Sequence, residues 1–150
     1  MNMPASKEGL HALAAARERR LTVKQAVSAV EVAAAAPAAD PGWTQANIRE
    51  LQGLRAAFDA HVAEVEGEEG LLEELVHDAP RLQPRIADVK GEHPTICAQI
   101  DAVVELLTDG GSVEDVRSAA LATLLAIARH RQHGADLVYN AYSVDIGAGD

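Results

Sequence analysis

Six histidines are present in the chain, and three of them fall where chemistry could be done. His61 follows Ile48, Leu51, Leu54 and Phe58 in steps of three and four. His93 lies within Leu82, Ile86, Val89, Ile96, Ile100, Val103 and Leu107. His130 follows Val116, Ala120, Leu124 and Ile127 and precedes Leu137. Each imidazole therefore continues the apolar stripe of a separate helix. Facing helices of a bundle build metal sites from such inward histidines and carboxylates. A single histidine on an apolar stripe is more often a hydrogen-bonded core side chain. Three on three helices at compatible heights point to a shared site.

Neighbouring residues widen the donor set. Glu64 lies one turn beyond His61, and Glu66 and Glu68 follow in an acidic run that would ordinarily be a solvated helix end. Cys97 is four residues after His93 on the same face, where a small buried hydrophobe is the plainer reading. His133 is three residues after His130, and Asp136 lies one further turn along. Glu92 precedes His93 but is rotated about 100° from it around the helix. Mixed imidazole and carboxylate ligation suits iron, manganese or zinc. His11 and His77 read as surface residues, and Tyr139 and Tyr142 as packing residues. A Gly-rich phosphate loop, a GxSxG elbow and a CxxC pair are all lacking, so hydrolase, kinase and dinucleotide chemistry have no motif to stand on.

Four helices are expected to position these groups, over about 6–36, 43–66, 80–108 and 112–142. Leu10, Leu13, Ala16, Val23, Val27, Val30 and Ala34 mark the first, interrupted by Arg20. Thr22 with Gln25 has the form of a capping box, which leaves a break near Leu21 open. Pro37 ends this helix in an APAADPG loop. Gly67 and Gly70 interrupt the second stripe, and Leu71–Val76 reads as one or two extra turns before Pro80. The third helix has the most regular pattern, a heptad-like seam. Gly91 and Pro94 lie inside it, and a kink beside His93 is expected. Ser112 with Asp115 resembles a capping box after Asp109-Gly110-Gly111. The closing DIGAGD reads as extended or disordered. The whole is expected to be a single all-α domain over residues 1–150, an up-down-up-down four-helix bundle.

Composition agrees with that class. Aromatic residues make up 3% of the chain, too few for a typical β-sandwich core, while alanine and leucine abound. A net charge of −10 repels phosphate backbones and anionic lipid, which argues against nucleic-acid and membrane-surface partners. The single cysteine permits no internal disulfide, consistent with a reducing cytosol. The opening residues lack a signal-peptide pattern, and no apolar run reaches the ~20 residues of a membrane helix. A cytoplasmic location is expected.

The stretch HVAEVEGEEGLLEELVHDAPRL, the helix bearing EHPTICAQI, and RHRQHGADLVYNAYSVDIG resemble the hemerythrin-like (HHE cation-binding) proteins, especially a divergent group from high-GC bacteria. The resemblance covers about 43–150. It implies a four-helix bundle holding a non-haem di-iron centre that binds dioxygen, senses or detoxifies oxidants, or handles iron. Within it His61 matches the second-helix histidine, His93 the first of the third-helix pair, and His130 the fourth-helix histidine. Val65, Cys97 and Ala135 stand where the family pattern has further ligands, so Glu64 or Glu66 would have to supply the carboxylate on the second helix. The resemblance thus implies one or two iron ions on His61, Glu64, His93 and His130, with Glu66, Glu68, Cys97 and His133 as weaker candidates. Manganese or zinc are the other metals to consider, and a small ligand such as dioxygen or peroxide the partner. A metal-dependent oxidase or peroxidase is a further reading. The alternative is a metal-free interaction module, a homodimer or adaptor in which the ligand set has degraded.

Overall fold

The computed structural model describes residues 23–147, with side chains to residue 143. His11, Arg20 and the expected break near Leu21 lie outside the described residues. Among them the chain is helical without a β-strand: α1 over 23–35, α2 over Trp43–Glu66, α3 over Leu71–Asp78, a 3-10 turn at Pro80–Leu82, α4 over Gln83–Thr108 and α5 over Val113–Gly147. The helices pack together as an all-α bundle, and none is long and apolar enough to cross a membrane.

Local chemistry sets the boundaries. After α1, Pro37 opens a turn closed by Asp40 N–H to Pro37 O and Trp43 N–H to Asp40 O. Buried Asn47 locks this corner, donating from Nδ2 to Ala33 O at 3.1 Å and Trp43 O at 2.9 Å. Arg117 of α5 donates to Ala34 O and Ala36 O, satisfying carbonyls that the end of α1 leaves orphaned. Its guanidinium also lies 5.7 Å from the centre of the Trp43 ring. α4 ends in a Schellman motif: Gly110 has φ +79°, Gly111 N–H bonds Leu106 O, and Gly110 N–H bonds Leu107 O. Ser112 then caps α5, its Oγ accepting from Asp115 N–H at 3.1 Å.

α4 runs through Pro94 as one helix, in keeping with the unbroken seam. Proline removes a single backbone hydrogen bond, and Ile86, Val89, His93, Ile96, Ile100, Val103 and Leu107 are all buried on both sides of it. The departure from the periodic reading lies in α5, which continues past Tyr142 to Gly147, into the DIGAGD segment expected to be extended or disordered.

The core has two apolar clusters. One holds Val30, Trp43, Leu51, Leu54, Phe58, Ile96, Ile100, Val103, Val116 and Ile127. The other gathers Leu72 and Leu75 of α3 with Leu82, Ile86, Val89, Leu137 and Ala141. His93 falls between Val89 and Ile96 on α4, and His130 between Ile127 and Leu137 on α5. The histidines thus mark the junction of the two clusters.

Candidate metal centre

α2, α4 and α5 each bring one imidazole to this junction. His61, His93 and His130 each offer a nitrogen, and these three atoms lie within 4.8 Å of one another. The ring centroids of His93 and His130 are 4.7 Å apart, and each is 5.9 Å from that of His61. A tetrahedral ion with metal–nitrogen bonds of ~2.0 Å holds its nitrogens about 3.3 Å apart, so small side-chain adjustments bring three donors at this spacing onto one ion. His93 and His130 are 2% and 4% exposed, too deep for chance surface neighbours, while His61 is half-buried.

Phe58 forms one wall. It is buried, and its ring centre lies 5.7 Å from His61, 6.0 Å from His93 and 5.8 Å from His130. The only phenylalanine of the chain thus touches all three imidazoles and keeps that side of the cluster apolar. Its place three residues before His61 on the same stripe is the sequence signal for this role, although the stripe alone marks it only as core.

Carboxylates hold the outer nitrogens. Glu66 Oε1 lies 2.7 Å from His93 Nδ1. Glu92 spans two histidines, with Oε1 3.1 Å from His130 Nδ1 and Oε2 2.7 Å from His133 Nδ1. A carboxylate only accepts, so Nδ1 donates in each pair, and Nε2 is the nitrogen of His93 and His130 left to face a metal. Partial burial pushes the Glu92 carboxyl up, but the hydrogen bonds from His130 and His133 outweigh it and hold the group below the ordinary value. For His130, burial dominates and lowers the imidazole despite the Glu92 hydrogen bond. Both shifts favour a neutral His130 beside a charged Glu92, and a neutral imidazole is the form that ligates a metal.

The remaining candidates occupy other positions. Glu64 is half-buried on α2, and its carboxylate is not among the converging atoms; Glu68 is exposed in the turn after α2. Cys97 directs its thiol to Asp59 Oδ1 at 3.6 Å, within a group where Arg55 bonds Asp59, Asp101 and the Cys97 carbonyl. His133 is exposed and meets the cluster only through Glu92. Asp136 accepts from Gln132, and His77 is exposed. Glu92 is the residue of this cluster that the linear reading placed away from it. Its rotation from the α4 seam turns it from His93 towards α5, and there it meets His130.

Comparison with family models, with curated proteins and with solved structures finds no match. The site's own geometry therefore carries the functional argument.

Proposed function

We propose that this chain is a hemerythrin-like metal-binding bundle that holds one transition-metal ion on His61, His93 and His130. The observation that carries the reading is the convergence of three imidazole nitrogens from three helices within 4.8 Å, two of the rings being buried. Three neutral imidazoles suit iron(II) or zinc, and suit oxygen-preferring manganese less well. Iron is the metal we favour, through the resemblance to hemerythrin-like proteins. Such an ion would offer coordination positions beyond its three protein ligands to a small ligand such as dioxygen or peroxide. The chain's own groups would bind the ion, orient the imidazoles and, through Phe58, limit water on one side.

One ion fits better than two. Val65, Cys97 and Ala135 replace donors that the family pattern would use, and the convergent set is three histidines. An up-down order of the helices is part of the proposal. Its support is the sequence of contacts: Arg55 meets Asp101 whereas Glu66 meets His93, and Glu92 meets His130 whereas Arg81 meets Asn140. As one helix advances its neighbour recedes.

A metal-free role for the histidines has one observation in its favour, the hydrogen bonds that Glu66 and Glu92 already supply. Elemental analysis after anaerobic iron(II) loading and desalting separates the readings. One iron per chain is expected, falling to near zero in His93→Ala and His130→Ala. Failure of the wild-type protein to retain a transition metal would establish the metal-free role.

A further inference from the structure

Resting on the metal-centre reading, we infer that Glu66 and Glu92 are positioning and charge-compensating residues that make the site selective for a divalent cation. The two carboxylates come from different helices, yet each does the same thing to a different buried imidazole. Glu66, at the end of α2, bonds His93 Nδ1 at 2.7 Å, and Glu92, on α4, bonds His130 Nδ1 at 3.1 Å. The His93 side chain is 3% exposed and that of His130 5%, whereas the carboxylates are 28% and 30% exposed and rim the cluster.

Two consequences follow from this arrangement. The first is geometric: an acceptor at Nδ1 fixes the tautomer and the ring plane, leaving Nε2 as the donor to the ion and raising its basicity. The second is electrostatic. Three neutral imidazoles bring no charge, and beside Phe58 a lone dication would be poorly solvated. Glu66 and Glu92, each one imidazole removed, carry two negative charges that offset those of a dication. A monovalent ion on the same donors would leave an excess negative charge.

Glu92 differs from Glu66 in having an outward contact. Its second oxygen bonds His133, and both residues line a cleft of about 220 Å³ with Arg85, Asp88 and Asp136. His133 holds Glu92 from the solvent side, so its loss should matter far less than loss of the Glu92 charge.

The test is competition of the full chain with chromophoric chelators, using Zn²⁺ and, under reducing anaerobic conditions, Cu⁺ as probes. Wild type, Glu66→Gln, Glu92→Gln and His133→Gln are compared, with helicity followed by circular dichroism. Glutamine keeps an acceptor oxygen and removes the charge. Each Glu→Gln variant is expected to weaken Zn²⁺ binding about 10–100-fold, the range for loss of such outer partners. Cu⁺ binding should change much less, narrowing the preference for the dication, and His133→Gln should stay close to wild type. Unchanged Zn²⁺ affinity in both Glu→Gln variants overturns the inference, as does an equal loss for both ions. The two variants alter different helices, so either one alone decides it if the other fails to fold. A wild type that binds no Zn²⁺, iron or other transition metal overturns the metal-centre reading itself, a result distinct from altered selectivity.

Discussion

At the scale of single residues, side chains fall into those whose role follows from helical period and those whose role depends on a neighbouring helix. His61, His93 and His130 belong to the first kind: each sits in register on an apolar stripe, so its inward direction is legible in the sequence. Glu92 belongs to the second. Its position off the α4 seam is legible, but which helix lies on that flank is a fact of packing, and only packing reveals that it meets His130 and His133. Cys97 lies between the two kinds. It shares the face of His93 at four residues' distance, yet its thiol turns to Asp59. Partial burial pushes this thiol above its ordinary value of 9.0, opposed by Arg55 and aided by Asp59. A folded-state value above the unfolded one means that the neutral thiol is favoured, so stability from this group is present below pH 9.0 and is lost as pH rises through the higher folded value. The pH profile of iodoacetamide alkylation should accordingly have its midpoint above 9.0 in the folded protein and return towards that value in urea. A midpoint below it would place Cys97 in an activated setting instead.

At the scale of elements, α4 is the spine. Its seam places seven buried side chains from Ile86 to Leu107 on one face, and the regular steps of three and four make that face readable in advance. Ile100 is fully buried at its centre. Ile100→Ala should lower the unfolding free energy by about 2–5 kcal/mol, measurable by urea denaturation, because the surrounding helices cannot fully collapse onto the cavity. A loss below 1 kcal/mol would show that the seam does not carry the packing assigned to it. The loop at Asp109-Gly110-Gly111 and the cap at Ser112 are equally legible, while the left-handed turn at Gly110 is a detail that the structure adds. The role of α3 is not legible. Leu71–Val76 shows as a short apolar run, but only tertiary contacts reveal that Leu72 and Leu75 build a second cluster with Leu82, Ile86 and Leu137. The same holds for the end of α5, where local composition suggests an extended tail and the helix continues.

At the scale of the whole molecule, two apolar clusters meet at three imidazoles, and the carboxylates that hold those rings lie on the outside. On the proposed reading, the apolar wall at Phe58, the imidazole donors within and the charge at the rim would together hold a dication. The same groups would be an unusual way to build a purely structural core, since His93 and His130 bury polar nitrogens that aliphatic side chains would avoid. X-ray absorption at the iron edge of the anaerobically loaded protein tests the central claim most directly. Three imidazoles per iron, seen as nitrogen neighbours with the outer-ring scattering of histidine and reduced in number in His93→Ala, are the predicted result. An iron surrounded by oxygen alone, or a spectrum unchanged by His93→Ala, would contradict it.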